Sequence, residues 1–203
     1  MTALSRRAFG TAALAALLAG CNDPRPRTGA AVRPGSAPAS SPPPATAAHA
    51  LRHSAPVRLQ IPAIGVDTQV IRLGLAPDGT VQVPPVTAHD RAGWYGHSPT
   101  PGQVGPSVIL GHVTVGAYGD GVFRHLARLH RGDRIVARLE NGTAAMFAVS
   151  AVRTVAKADF PVNDVYGDVD RPELRLITCG GPRTGDGYLD NVIVFATLSS
   201  STP

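Results

Sequence analysis

The amino-acid sequence predicts an all-β domain, a sandwich or a barrel, that follows a long N-terminal stretch of different character. Residues 57–203 consist of short runs rich in β-branched residues, and turn-forming residues separate these runs. Residues 1–56 contain a single apolar run and no other periodic segment. The C-terminal part is long enough to bury a sizeable core without a disulfide or a metal ion. We therefore expect one folded domain.

Eight segments have the composition and alternation expected of strands. They are residues 57–61, 66–75, 81–83, 107–111, 134–139, 143–155, 173–178 and 191–198. Asn141-Gly142 predicts a tight hairpin turn, because both residues readily adopt a positive φ. Residues 122–129 depart from the strand pattern, since Val122, Leu126 and Leu129 share one face at helical spacing. This segment predicts one short helix.

The first 21 residues are organised like a bacterial export signal. An arginine pair precedes an apolar stretch at residues 11–19, which is too short to span a hydrocarbon core of ~30 Å. Residues 5–9 resemble a twin-arginine motif, and residues 18–21, Leu-Ala-Gly-Cys, resemble the lipoprotein box. In that box the cysteine is acylated and becomes the new N-terminus. We expect export and lipidation of Cys21, which would hold the protein at the extracytoplasmic face of the membrane; a plain secretory signal is the alternative.

Residues 22–56 are dominated by Pro, Ala, Ser and Gly, a composition that predicts a disordered tether. The formal net charge of +5 arises before the folded domain, where six arginines face one aspartate. Residues 57–203 carry 13 basic and 13 acidic side chains and are neutral. The charge therefore gives no support to a nucleic-acid partner.

Cys179 is the candidate nucleophile. If Cys21 carries lipid, Cys179 is the sole other cysteine of the chain and has no disulfide partner within it. It ends the apolar run 174–178 and precedes Gly180-Gly181, so we expect it at a strand end, beside glycines that let a substrate backbone approach. A buried cysteine that acts as a small hydrophobic residue is the alternative.

His112 is the candidate partner of this thiol. A thiol with the ordinary pKa of ~8.5 is mostly protonated at neutral pH and needs a basic or cationic neighbour. His112 ends the apolar run 107–111, so it also stands at the mouth of a predicted strand. The other histidines of the domain lie in polar loops or beside the predicted helix, and they are His89, His97, His125 and His130.

These two strand ends resemble motifs of the sortase family. Val108-Ile109-Leu110-Gly111-His112 is similar to the sortase histidine strand, and Leu176-Ile177-Thr178-Cys179 to its Leu-x-Thr-Cys strand. Further segments resemble the class F branch found in actinobacteria, and they are residues 59–66, 93–95, 179–181 and 188–192. The resemblance covers residues 57–198 and implies an eight-stranded β-barrel with one or two short helices.

The resemblance also implies an activity. Sortases are cysteine transpeptidases that cleave a Leu-Pro-x-Thr-Gly-like sorting signal of secreted proteins through a thioacyl enzyme. They then pass the acyl group to an amine acceptor, such as a cell-wall precursor, and need no cofactor. The histidine would protonate the leaving amine and deprotonate the incoming one. A cationic arginine, with the backbone near Thr178, would stabilise the oxyanion.

The arginine is the point at which the chain departs from the family pattern. It is expected within residues 188–191, where this sequence has Leu189. Arg183 is the only arginine after Cys179 and is the candidate substitute. Arg175 precedes Cys179 by four strand positions, about 13 Å, so an ion pair with an acid is the favoured interpretation for it.

Three other functions and a metal site are alternatives to this interpretation. An L,D-transpeptidase would carry Ser-His-Gly-Cys at the nucleophile, whereas Ile177-Thr178 precede Cys179 here. A papain-like protease would place its cysteine at a helix start near the N-terminus, whereas Cys179 lies late in the chain and ends a predicted strand. A non-catalytic envelope-binding lipoprotein is the alternative from another class, since Leu189 replaces an arginine. The loose acidic loop with Asp164, Asp168 and Asp170 lacks metal-ligand spacing, so we predict no metal site.

Overall fold

A computed structural model describes residues 49–185 and 187–202 of the chain. The predicted export signal, Cys21 and most of the predicted tether lie outside the described residues. The strands are β1 (Pro56–Ile61), β2 (Val66–Leu73), β3 (Ala92–Tyr95), β4 (Gly105–Leu110), β5 (Thr114–Val115), β6 (Gly119–Asp120), β7 (Arg134–Leu139), β8 (Ala144–Ala156), β9 (Pro172–Thr184) and β10 (Gly187–Thr202). One short α-helix, α1 (Val162–Tyr166), accompanies them. Five single-turn 3₁₀ helices lie at Pro62–Ile64, Val86–Ala88, Gly116–Tyr118, Leu126–Arg128 and Lys157–Asp159.

Eight of the strands close into a barrel in the order β1-β2-β3-β4-β9-β10-β8-β7. The β2–β3 and β4–β9 pairs are parallel, and the other barrel pairs are antiparallel. Strands β5 and β6 form a separate two-stranded sheet just after β4. The predicted all-β fold, an eight-stranded barrel with few helices, is confirmed.

The local predictions were less accurate than the fold class. Residues 81–83 form no strand and contribute only an isolated bridge between Leu75 and Val81. The predicted helix at 122–129 is a single 3₁₀ turn, Leu126–Arg128. The buried apolar residues of segment 122–129 are Phe123, Leu126 and Leu129, of which Leu126 lies in the turn itself. Their spacing of three matches the three residues per turn of a 3₁₀ helix rather than the 3.6 of an α-helix.

Two apolar clusters lie on opposite sides of the barrel wall. The interior cluster contains alternate residues from the middle of β9 and β10, such as Leu174, Leu176 and Val194. The outer cluster contains the alternate residues, such as Ile177 and Ile193, and packs under α1. Because side chains alternate along a strand, these clusters define which face each neighbouring residue presents.

Contacts with the barrel begin before the predicted domain boundary at residue 57. The backbone N–H of Leu51 donates to Gly102 O at 2.8 Å. Ser54 is buried, and its hydroxyl accepts a hydrogen bond from the backbone of Asn141 at 3.1 Å. The last few residues of the predicted tether, from Leu51 onward, therefore pack on the domain.

Among the described residues, no helix is both long enough and apolar enough to cross a membrane.

Candidate active site

The structure places Cys179 and His112 at matching positions on adjacent chain segments. Strands β4 and β9 run parallel, and their last register pair is Leu110 opposite Ile177. The N–H of Gly111 donates to Ile177 O at 3.1 Å, which is the closing hydrogen bond of this last pair. His112 and Cys179 each follow that pair by two residues. By strand alternation both share the outer face of the barrel with Leu110 and Ile177.

Cys179 is a free, half-buried cysteine. It is more exposed than the buried cysteine of the alternative interpretation, and its role as a nucleophile stays a prediction. It lines a cavity of about 300 Å³ at the edge of the barrel, together with Thr178, Phe123, Arg124 and Tyr188. A thiol in this position is accessible from solvent and shielded on one side, as a nucleophile requires.

His112 is oriented by a backbone carbonyl that sequence reasoning missed. Its Nε2 lies 2.6 Å from Pro84 O. A carbonyl oxygen can only accept, so Nε2–H is the donor, and Nδ1 is the ring nitrogen that this contact does not engage. The peptide oxygen of His112 in turn accepts from the N–H of Phe123 at 2.9 Å. The sequence gives no signal for this contact, because it uses the main-chain oxygen of Pro84 and any residue could supply it.

The two glycines after Cys179 make room for strand β10. A Cβ at Gly180 would lie 2.6 Å from a methyl group of Val192. Gly181 has a φ of 71°, in the left-handed region, and a Cβ there would overlap the carboxylate of Asp190. These glycines therefore allow close packing within the hairpin. The expectation that they also admit a substrate backbone stays a prediction.

Thr178 points into the barrel and is buried. Its hydroxyl has no hydrogen-bond partner among the described residues. In the structure, its main chain pairs with Val192 of β10, directly beside the Cys179 position. The role predicted for the backbone near Thr178 stays a prediction.

The structure separates Arg183 from the Cys179 position. Arg183 is exposed and opposes Tyr188 in the β9–β10 ladder. Its guanidinium lies 5.8 Å from the centre of the Tyr188 ring. A catalytic role for Arg183 stays a prediction. Arg175, by contrast, is buried and paired with Glu173 at 2.6 Å, which confirms the ion-pair interpretation for it.

A larger cavity of about 640 Å³ lies on the outer face between β4 and α1. Aromatic and aliphatic residues line it, among them Tyr95, Val108, Phe160, Val162 and Tyr166. Burial raises the pKa of Tyr166, and the nearby Tyr95 hydroxyl raises it further, so the phenol stays neutral. Val108 shares a strand face with His112 and lies four residues before it, about 13 Å away. This groove therefore lies on the strand face that carries the two site residues.

Within the described part of the chain, no group of three His, Cys, Asp or Glu side chains could hold a metal ion. Asp164, one of the three acidic residues of the loop named above, forms an ion pair with Arg153 at 2.7 Å.

The chain is similar to known proteins in sequence and in fold. The family model of the sortase domain matches residues 59–199. No curated protein matches the chain significantly. Among solved structures, sortase A of Listeria monocytogenes is similar with 16% identity and a TM-score of 0.55, over 72% of this chain and 89% of that one.

Two structures from Actinomyces oris are also similar. Its SrtA sortase has 24% identity and a TM-score of 0.55, over 78% of this chain and 88% of that one. Its sortase C-1 has 20% identity and a TM-score of 0.54, over 72% of this chain and 73% of that one. At these identities the likeness concerns the fold.

Proposed function

The chain belongs to the sortase family of cysteine transpeptidases, and we propose that it cleaves a Leu-Pro-x-Thr-Gly-like sorting signal and transfers the acyl part to an amine of the cell envelope. The observation that carries the proposal is the matched placement of His112 and Cys179 past the Leu110–Ile177 register pair. The two residues are far apart in sequence, and the closed barrel places them just past the ends of two paired strands. The remaining steps follow from their chemistry.

In the acylation step the Cys179 thiolate attacks the carbonyl carbon of the signal threonine. The S–C bond forms, and the carbonyl π pair moves onto the oxygen. When this pair returns, the C–N bond to glycine breaks, and the leaving amine takes a proton from His112. In the second step the incoming amine loses a proton to His112 and displaces the thiolate, so enzyme and proton count are restored.

The groove beneath α1 supports an extended, apolar peptide as the substrate. Its lining is dominated by Tyr95, Val108, Phe160 and Tyr166, side chains suited to leucine and proline. It runs on the same outer face as Cys179, so a peptide bound there would extend toward the thiol. Residues 188–192 and Gly180-Gly181 favour the class F branch within the family.

For localisation, we propose a lipid anchor at Cys21 and a tether that ends where Leu51 first contacts the barrel. Metabolic labelling with a palmitate analogue tests this anchor. We expect label on the wild type and none on Cys21→Ala. Label that persists in Cys21→Ala, or a wild type without label, would contradict the anchor and leave the proposed activity standing.

The activity is tested with the full chain in detergent and a library of x-Pro-x-Thr-Gly peptides, with triglycine as the amine. Mass spectrometry should detect a thioacyl adduct on Cys179. Cys179→Ala should abolish cleavage, and His112→Ala should reduce it about 10²–10⁴-fold. His130→Ala is the matched control, since His130 is exposed and its side chain makes no contact with the site. Cleavage that survives Cys179→Ala would refute the mechanism.

A further inference from the structure

We propose that the side-chain amide of Asn191 donates the hydrogen bond that stabilises the oxyanion when Cys179 attacks its substrate. This inference rests on the proposed function and assigns to an uncharged side chain the task expected of an arginine.

The β9–β10 ladder places Asn191 directly opposite Cys179. Directly opposite residues in an antiparallel pair point to the same side, with Cβ atoms about 4.5–5.5 Å apart. Their neighbours along the ladder, Ile177 opposite Ile193, belong to the outer cluster, so Cys179 and Asn191 also face outward. His112 lies at the same level on the other flank of Cys179. The three side chains thus form one row, with the nucleophile in the middle.

His112 and Asn191 would interact with different atoms of the tetrahedral intermediate. The oxygen and the leaving nitrogen occupy different corners of the attacked carbon, so one group cannot serve both. His112 supplies the proton to nitrogen from one flank. The Asn191 amide, on the other flank, can donate to the oxygen and neither gains nor loses a proton.

The surroundings leave the Asn191 amide free for this task. Asn191 is half-buried, and none of the hydrogen bonds among the described residues uses its side chain. Its other cross-strand neighbour, Val155 of β8, is apolar and cannot compete for the amide. The Asn191 amide is therefore available to a group bound beside Cys179.

The arginines of this region have other partners or lie farther away. Arg175 is buried against Glu173. Arg124 borders the Cys179 cavity, but it pairs with Asp120 at 3.0 Å. Arg183 opposes Tyr188, beyond the bulge that interrupts the β9–β10 ladder. None of these arginines stands directly opposite Cys179 in the ladder, as Asn191 does.

That bulge is what brings Asn191 into position. Two residues of β9, Gly181 and Pro182, oppose one residue of β10, Leu189. If the pairing of Arg183 with Tyr188 continued without interruption, Val192 would stand opposite Cys179 and present a methyl group. The left-handed Gly181 permits the extra residue and moves the amide into that place.

The test measures acylation of the full chain by a cleaved peptide, with kcat and KM determined separately. Asn191→Ala should lower kcat about 10²-fold and change KM less than about 3-fold, as for other oxyanion donors. Asn191→Asp should be at least as slow, because a carboxylate repels the oxyanion. Asn191→Gln, which keeps the donor, should recover part of the rate. Asn141→Ala, at the distant β7–β8 turn, is the matched control.

A second measurement separates oxyanion stabilisation from mere positioning of the thiol. Alkylation of Cys179 by iodoacetamide forms no oxyanion, so Asn191→Ala should leave its rate within about 2-fold of wild type. An equal fall in alkylation and acylation would overturn the inference. So would an Arg183→Ala variant that loses about 10²-fold while Asn191→Ala keeps the wild-type rate.

The outcomes also distinguish this inference from the function on which it rests. If the wild type forms a thioacyl adduct and Asn191→Ala forms it as fast, the inference fails and the transpeptidase stands. If the wild type forms no adduct on Cys179 with any peptide of the library, the proposed function fails and the inference fails with it.

Discussion

The two chain segments that flank the His112–Cys179–Asn191 row are held in opposite ways. On one side, the β8–β9 connection with α1 is attached through buried charge and apolar packing. On the other side, the end of the β9–β10 hairpin, described for residues 180–185 and 187–188, is attached through contacts near the surface. We therefore expect the α1 side to contribute more to the free energy of unfolding than the hairpin side.

The α1 side is anchored by Arg175. This residue is only 3% exposed, and its guanidinium contacts Glu173 at 2.6 Å, the peptide oxygen of Asp164 at 3.1 Å and the ring of Phe195 at 4.6 Å. The contact with Asp164 ties α1 directly to the barrel wall, and fully buried Val165 packs beside it. Burying charge carries a desolvation cost, which good geometry and several hydrogen bonds offset.

The hairpin side has one notable side-chain bond. The hydroxyls of Tyr188 and Thr114 lie 2.9 Å apart and join the hairpin to the small β5–β6 sheet. Arg183 covers the Tyr188 ring from the solvent side, and residues 181–185 are exposed. Such contacts contribute less than the buried network, because water competes for them.

The largest expected effect comes from removing the buried cation. Arg175→Met leaves Glu173 with only the solvent-exposed Arg171 as a partner and should reduce the free energy of unfolding by about 3 kcal/mol. Urea unfolding followed by circular dichroism measures it. Arg183→Met on the hairpin side is the matched control and should change stability by less than about 0.5 kcal/mol. Equal effects of the two variants would remove the contrast between the two sides.

The next effect concerns the bulge. Gly181→Ala places a side chain at a φ of 71°, which costs about 1–2 kcal/mol, and it also crowds Asp190. We expect a loss of acylation greater than the loss of stability, because relief of the crowding shifts Asn191 away from Cys179. Gly185→Ala meets no atom within 4 Å and is the control. An active Gly181→Ala with an unchanged rate would show that the bulge does not set the site geometry.

A smaller effect is expected for the hydroxyl bond of the hairpin. Tyr188→Phe removes the bond to Thr114 and should lower the free energy of unfolding by about 0.5–1.5 kcal/mol. Thermal unfolding measures this change. Tyr118→Phe serves for comparison, since its ring stacks on His89 and its hydroxyl makes no hydrogen bond among the described residues. A Tyr188→Phe loss above that of Arg175→Met would reverse the ranking of the two sides.

The smallest effect is a pH dependence on the α1 side. Burial raises the pKa of Tyr166 in the folded state, so the unfolded chain ionises first as the pH rises. Stability should therefore fall above pH ~10, the ordinary tyrosine pKa, where the unfolded state binds fewer protons. Unfolding free energies between pH 8 and 11 should fall less steeply in Tyr166→Phe than in the wild type. Parallel curves for the two proteins would contradict this.

Much of the site could be predicted because two of its residues are marked by local sequence. Cys179 and His112 each end an apolar run, and a strand end is visible in sequence. Pro84 was missed because it acts through its carbonyl oxygen. Asn191 was missed because the bulge shifts the register by one residue, and no count along an uninterrupted hairpin would pair it with Cys179.

The sequence by itself determined the all-β class and the family motifs, because alternation of apolar residues is a local property that follows from the two-residue period of a strand. That alternation did not by itself distinguish a closed barrel from a sandwich, and it gave neither the parallel pairing of β4 with β9 nor the single 3₁₀ turn at Leu126–Arg128. The tertiary structure decided these, since they depend on contacts between residues distant in the chain. The register of Asn191 against Cys179 is of the same kind, because one left-handed glycine and its packing against β10 select it from two alternatives that the sequence pattern leaves equal.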